Sequence, residues 1–274
     1  MLGEPDQRSR GASPASDALL FCTLVALRID LNADVGEGSS DDASLLRLVT
    51  SANVAAGFHA GDPSVLRQTI RAARAGAAAV GAHPSFPDRA GFGRHEMIVT
   101  PQEAEDFVLY QIAAVAGVAA AEGVKLQHVK PHGALYNMAA RDALLAGAIA
   151  RAAAAFDSSL ILFGLPGSEL LKAGRAAGLR VAAEAFADRA YEADGSLVSR
   201  KSPGAVIHDA DAVVSRAIRM AKDRSVTAVD GSIVRIDLDT ICVHSDTPGA
   251  ADLAARLRAG LEAAGVTVRA IGTF

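Results

Sequence analysis

Leu126-Gln127-His128-Val129-Lys130-Pro131-His132-Gly133-Ala134-Leu135-Tyr136-Asn137 crowds three basic side chains into what reads as a buried strand and its exit. Successive side chains on a strand point to opposite faces, so His128 and Lys130 share one face and Val129 takes the other. Pro131 has no N–H to donate and ends the ladder, and Gly133 loosens the turn that follows. A helical reading would pair His128 with His132 at i and i+4 as metal ligands, but Pro131 between them disfavours it. The basic groups are therefore expected at the carboxyl end of a strand, and the same pattern recurs along the chain.

Upstream, Leu27, Ile29 and Leu31 alternate with Arg28, Asp30 and Asn32, and Asp34, Gly36, Glu37 and Gly38 continue a polar exit. These carboxylates could bind a cation, orient water or cap a helix expected from Asp41. A second strand, Ser51 to Ala55, carries Asn53, and its loop displays His59 between glycines before Asp62-Pro63 opens a helix that stops near Gly76. A third, Ala79 to His83, puts small residues on the parity of His83, which leaves room for a ligand. The long loop after it holds Arg89 and Arg94, which could grip a carboxylate, although a solvated loop arginine is the commoner outcome.

Thr100-Pro101-Gln102-Glu103 is a capping box that starts a long helix ending near Gly123. Beyond the opening stretch, an alanine-rich helix is expected over 138–156, then an apolar structural strand at 160–164 and a helix over 168–177. Leu179 to Phe186 reads as a strand in which Glu184 is the exception, a carboxylate that needs a partner when buried. A polar loop with Asp188 and Arg189 follows. A helix from about Asp209 to Lys222, a hairpin at Asp230-Gly231, a strand from Thr240 to His244, a helix started by Ser245-Asp246-Thr247-Pro248 and a short Val266–Ile271 strand complete the chain.

Seven β-then-α units predict a (β/α) barrel of seven or eight mostly parallel strands, an α/β fold of the distorted TIM type, forming one domain over 27–274. The 274 residues, half of them hydrophobic and only 4% aromatic, suit one large core. Residues 1–26 read as a poorly ordered or mis-assigned extension outside the barrel; Arg8, Arg10 and the apolar run from Ala18 resemble a signal peptide, but cleavage there would leave no leader before the first strand. A net charge of −4 without a Lys/Arg block argues against nucleic acid, and no membrane partner is expected. Two cysteines, Cys22 and Cys242, support neither a disulfide framework nor a cysteine zinc site, which fits a reducing cytoplasm.

Active sites of such barrels lie at carboxyl strand ends, where Asp30, Asn32, Asn53, His83, Lys130, Glu184 and His244 are expected from six strands. Imidazoles titrating near neutrality, carboxylates that position water, and Lys130 or an arginine for an oxyanion or phosphate suit hydrolysis by general acid/base catalysis. There is no Gly-x-Ser-x-Gly elbow and no cysteine placed as a nucleophile, so attack by water is favoured over an acyl-enzyme.

Six motifs, Asp30-Leu-Asn-Ala-Asp-Val-Gly-Glu37, Ser51 to Asp62, Gly81 to Asp88, Val129 to Asn137, Phe186 to Tyr191 and Cys242 to Pro248, together resemble the family of the 5-oxoprolinase A subunit from about Leu27 onward. Ala56, where relatives often carry cysteine, and Ser245, in place of a usual glycine, depart from it. The resemblance implies a bacterial ATP-dependent enzyme opening 5-oxoproline to L-glutamate with partner subunits B and C. ATP is then a co-substrate that those partners could bind, since this chain has no phosphate loop, and a homo-oligomer is compatible. It also implies a site of Asp30, Asn32, Asp34, Glu37, His59, His83, Lys130, His132, Arg189 and His244. His83 or His132 would activate water, Lys130 would meet the phosphoryl or oxyanion charge, and Arg189 or Arg94 would hold the substrate carboxylate. This reading leaves a divalent metal open and commits to none. A similarity to metal-dependent polysaccharide deacetylases offers an alternative with Asp30, Asp34, His59 and His83 as ligands, and a non-catalytic regulatory role in the complex is a third reading.

Overall fold

The structure is a computed structural model that describes residues 27–39, 41–200, 202–244 and 249–272. The reading of residues 1–26 and the helix start at 245–248 lie outside the described residues.

Seven parallel strands close into a barrel: β1 (Arg28–Val35), β2 (Ser51–Ala55), β3 (Ala79–His83), β4 (Leu126–Val129), β5 (Ile161–Gly164), β6 (Arg180–Phe186) and, after a small hairpin, β9 (Thr240–His244), which pairs back onto β1. The hairpin, β7 (Ser225–Thr227) with β8 (Ile233–Arg235), turns at Asp230-Gly231 as its sequence predicts. The terminal strand is only β10 (Thr267–Val268), laid parallel against the start of β1. The expected distorted TIM-type barrel is thus observed, with seven strands in the closed ring.

Around it lie α1 (Asp42–Leu45), α2 (Pro63–Ala75), α3 (Pro101–Ala121), α4 (Gly133–Ala139), α5 (Ala143–Phe156), α6 (Glu169–Ala176), α7 (Ala210–Asp223) and α8 (Ala250–Ala263). Side-chain caps that satisfy free backbone N–H groups set the start of several of them. Asp62 accepts from Ser64 and Val65, Thr100 and Glu103 form the reciprocal capping box, and Asp209 accepts from Asp211. The single helix expected over 138–156 is two. Asp142 accepts the N–H groups of Leu144 and Leu145 and begins α5, while α4 starts earlier, immediately after His132. Alanine propensity hides the break because both pieces are good helix formers. α3 is long and apolar enough by composition to cross a membrane, yet it packs against α5 and buries Val108, Ile112 and Val115 in the jacket of the barrel.

Side-chain parity decides what fills each layer. Leu31, Ala33, Val35, Val54, Val80, Val129, Leu162, Ile241 and Val243 point outward into the sheet–helix core, all nearly inaccessible to solvent. The opposite parity lines the barrel. There, β5 and β6 contribute an apolar plug of Ile161, Phe163 and Ala182, Phe186 and Cys242 cluster with Tyr136, and polar side chains supply most of the rest. Two glycines make this interior fit. A Cβ at Gly81 would lie 2.1 Å from His128 Nε2, so the imidazole occupies the space that glycine leaves and stacks on Phe163. Gly133 has φ +56°, and a Cβ there would meet the Gly93 carbonyl at 2.5 Å, so only glycine lets α4 abut the loop after β3.

Candidate active site

Asp30, Asn32 and Asp34 occupy alternate positions of an eight-residue strand and so form a column through the barrel rather than a cluster at its rim. Asp30 lies on the floor, 1% exposed, where Thr50, Ser51 and Thr240 donate hydroxyl hydrogen bonds to it at 2.6, 2.7 and 2.5 Å. The expectation of Asp30 at a carboxyl strand end, and as a ligand beside His59, is therefore corrected: β1 runs on from it to Val35. Burial outweighs the three hydroxyls and pushes its pKa from 3.8 up to about 6.

Above the floor, Asn32 donates to Thr240, and Asn53 donates to both Asn32 Oδ1 and Asp34 Oδ1 at 2.7 and 2.8 Å. With its amide protons spent, the Asn53 carbonyl oxygen accepts from His128 Nε2 at 2.8 Å. That tautomer leaves His128 neutral, and burial, then the nearby Lys130 charge, pushes its pKa down to about 3.

Lys130 follows β4 and is 3% exposed. Its ammonium faces Asp34 Oδ1 and Glu184 Oε1 at 2.8 Å each, Cys242 Sγ at 3.1 Å and Asn32 Oδ1 at 3.4 Å. An ammonium has three protons, so these acceptors exhaust it. The role expected for Lys130 against an outer oxyanion gives way to that of a buried counter-ion. Burial opposes its charge, but Asp34, with Cys242 and Glu184 also contributing, raises its pKa well above the ordinary value.

Glu184 is fully buried as the partnered exception its strand suggests. Two neighbours that sequence reasoning leaves out complete this level: Tyr136, whose phenol is pushed well up by burial and then by Glu184, and Cys242, whose thiol is pushed well up by burial. Cys242 shares the strand parity of His244, a signal present in the sequence; Tyr136 sits on α4, where strand parity gives none and only the Val129 to Asn137 motif includes it.

At the mouth, Glu37, His59, His83 and His132 converge. Glu37 Oε1 lies 2.8 Å from His59 Nε2, 3.3 Å from His132 Nδ1 and 3.7 Å from His83 Nε2, and His83 Nε2 meets His132 Nδ1 at 2.9 Å. His83 Nδ1 contacts the Lys130 carbonyl and His132 Nε2 the Phe92 carbonyl, at 2.7 and 2.9 Å. The rings of His59 and His132 stack with centroids 3.8 Å apart, and Phe92 abuts both edge-on. Burial disfavours ionised Glu37, but hydrogen bonds with His132 and His59 and the His83 charge hold its pKa well below the carboxylate range. Burial pushes His59 down to about 4 and lowers His132. Burial works against a charged His83 too, but Asp34 Oδ2, 3.4 Å away, prevails and raises its pKa.

These four donors could hold a metal ion, all within 4.8 Å of one another. They share His59 and His83 with the set expected from sequence, while Glu37 and His132 replace Asp30 and Asp34.

Arg189 lies in the loop after β6, where its Nε and one terminal nitrogen donate to the carbonyls of Ala205 and Val198. Burial first, then the charges of Arg200 and, more weakly, Arg94, push it down to about 10. Arg94 is exposed and lies over the Phe92 ring at 4.9 Å. Arg89 instead ties the carbonyls of Gly57 and Gly61. His244 ends β9 in register with Asp34; its side chain lies outside the described residues.

Residues 29–274 match the LamB/YcsF family. The chain belongs to that family. Among curated relatives, the 5-oxoprolinase A subunit of Chloroflexus aggregans is 56% identical over 248 residues, which span 89% of this chain and 98% of the relative. The Bordetella pertussis protein of the same name is 53% identical over 247 residues, 88% of this chain and 98% of its own length. The crystal structure of the lactam utilization protein from Thermus thermophilus superposes with a TM-score of 0.84 at 47% identity, covering 89% of this chain and all of that one. The family resemblance read from the six motifs is borne out, and with it the barrel.

The barrel floor has a pH signature. Because the folded pKa of Asp30 lies above the unfolded value, the folded state binds the extra proton between 3.8 and about 6. The stability that Asp30 contributes is therefore full below that window and declines as pH rises through it. Wild type measured against Asp30→Asn by urea unfolding should lose relative stability from pH 4 to pH 6 and stay level above, and a relative gain over that range would contradict the buried, protonated floor.

Proposed function

We propose that this chain is the ring-opening component of a cytoplasmic, multi-subunit 5-oxoprolinase that converts 5-oxoproline to L-glutamate with ATP as co-substrate, in concert with subunits B and C. The observation that carries this reading is the convergence of Glu37, His59, His83 and His132 at one barrel mouth in a chain whose relatives bear that name.

A lactam resists water because its nitrogen lone pair is delocalised into the carbonyl. Transfer of the ATP γ-phosphoryl group to the lactam oxygen, with ADP leaving and the ring N–H proton lost, makes the ring carbon electrophilic. The sequence holds no phosphate loop, so this step is assigned to the partners. Water then forms a C–O bond at that carbon while an imidazole takes its proton. Cleavage of the C–N bond, with the nitrogen reprotonated, gives an acyl phosphate, which a second water converts to carboxylate and phosphate. His83 and His132 are the imidazoles placed for these transfers, steadied by Glu37. Arg94, Arg189 and Arg200 lend positive charge to the surrounding loops for the substrate carboxylate and the phosphoryl group. Lys130 keeps Asp34 and Glu184 in place below.

The test is glutamate release from 5-oxoproline with ATP, assayed with this chain alone, with subunits B and C alone, and with all three. Turnover should require all three. Full turnover without this chain would make it dispensable and end the proposal.

A further inference from the structure

We infer that Glu37, His59, His83 and His132 form a resident divalent-cation site. Counting protons leads there, whatever the substrate. A neutral imidazole carries one N–H and one lone pair. His83 Nδ1 sits 2.7 Å from the Lys130 carbonyl and His132 Nε2 sits 2.9 Å from the Phe92 carbonyl. A carbonyl only accepts, so each of these outer nitrogens bears the proton.

With both rings neutral, the inner nitrogens, His83 Nε2 and His132 Nδ1, are lone pairs facing each other across 2.9 Å, beside an Asp34 carboxylate 3.4 Å from His83 Nε2 that favours a positive charge at this point. Glu37 Oε1 is a third lone-pair donor, 3.7 and 3.3 Å from those nitrogens. Three acceptors pointed at one another repel unless something positive lies among them. A single added proton can join only two of the three at a time, whereas a metal ion meets all of them.

His59 completes the set. Its Nε2 faces Glu37 at 2.8 Å, and its buried Nδ1 has no hydrogen-bond partner in the structure. Moving the His59 proton to Nδ1 gives up the Nε2–H···Glu37 hydrogen bond and turns Nε2 into a fourth lone pair, the ion replacing that proton as the partner of Glu37. Tetrahedral coordination with bonds of about 2.0–2.1 Å places ligand atoms about 3.3 Å apart. The contacts of 2.8, 2.9, 3.3 and 3.7 Å bracket that value; the His59 and His132 rings lie parallel with centroids 3.8 Å apart, so one of them must turn for both in-plane lone pairs to meet a shared ion.

Outer hydrogen bonds from ligating imidazoles to backbone carbonyls are the usual means of fixing a ligand tautomer. Three imidazoles and one carboxylate suit zinc first, with manganese, iron or cobalt as alternatives. With an ion bound, both ring nitrogens of His83 and His132 are committed, so the ion would lower the pKa of a bound water in place of the proton transfers assigned to those imidazoles in the proposed function.

The experiment uses the full chain purified without a histidine tag, stripped with chelator and dialysed, then titrated separately with Zn2+, Mn2+ and Co2+ while heat, elemental content and the visible Co2+ spectrum are read. Wild type should take up about one ion per chain, give the intense absorption of a four-coordinate Co2+ site and melt at higher temperature with the ion present. Glu37→Gln and His132→Ala, shown by circular dichroism and melting to be folded without metal, should each weaken uptake at least 10-fold, on the order seen when a ligand or its support is lost. His95→Ala, which removes an exposed His95–Asp88 pair that is not among the four donors, should leave uptake unchanged.

Stripped wild type that binds none of the three ions stoichiometrically overturns the inference, as do folded mouth variants that retain wild-type uptake. Because these readouts need no substrate, they fail independently of the 5-oxoprolinase reading.

Discussion

Lys130→Met is expected to destabilise the folded protein by on the order of 3–5 kcal/mol, the cost of removing one partner from a buried ion pair. The volume of the side chain is nearly kept, so the loss is not that of a cavity. What changes is that Asp34 and Glu184, both held 2.8 Å from the ammonium, face each other with no positive charge between them. Glu184 is fully buried, so its carboxylate cannot turn to water instead. Glu184→Gln alone should cost less, because Asp34 keeps its cation and the neighbouring His83. In the Glu184→Gln background the Lys130→Met penalty should shrink by about 1–3 kcal/mol, the coupling typical of groups in direct contact. Urea unfolding of the four proteins measures the cycle. A Lys130→Met protein within about 1 kcal/mol of wild type would mean that the buried counter-ion role is wrong.

The barrel is legible in the sequence because parity is a strong signal when both faces of a strand are covered. Leu27, Ile29 and Leu31 against Asp30, Asn32 and Asp34 separate the helix-facing side from the interior without any further information. Depth along the strand is not legible. Parity repeats every two residues and cannot distinguish a floor from a mouth, so it groups Asp30 with His83 although three hydroxyls hold Asp30 far below.

The same limit applies to Lys130. A lysine after a strand looks exposed to the mouth until Glu184, from another strand, is seen beneath it. Conversely, His132 and Glu37 lie past their strands in loops, where periodicity says nothing, and only their motifs single them out. The break between α4 and α5 requires Asp142 to be read as a cap within an alanine-rich run.

Glu37→Gln is expected to reduce kcat of the assembled enzyme by on the order of 100- to 10,000-fold, the range for loss of a positioned acid/base apparatus, with KM changed only a few-fold. The substitution conserves shape, so packing around His59 and His132 survives. Its effect is electronic. An ionised Glu37 offers lone pairs to three imidazoles at once, and its negative charge favours any proton or cation held between His83 and His132. Glutamine replaces one oxygen by an N–H2 group. If its remaining oxygen still accepts from His59, the amide donors turn toward nitrogens that need a positive partner of full charge.

The proposed function assigns substrate recognition to the arginines around the loops, which this change leaves untouched, so on that reading the loss should fall on kcat rather than on KM. Glu262→Gln removes an i,i+4 partner of Arg258 on α8 and should behave as wild type in the same assay. Steady-state kinetics with subunits B and C in excess separates the possibilities. Unchanged turnover in Glu37→Gln would remove the histidine cluster from the chemistry and favour a regulatory role for this chain. A rise in KM alone would make Glu37 a binding group, because only an interaction made in the transition state lowers kcat while leaving ground-state affinity in place.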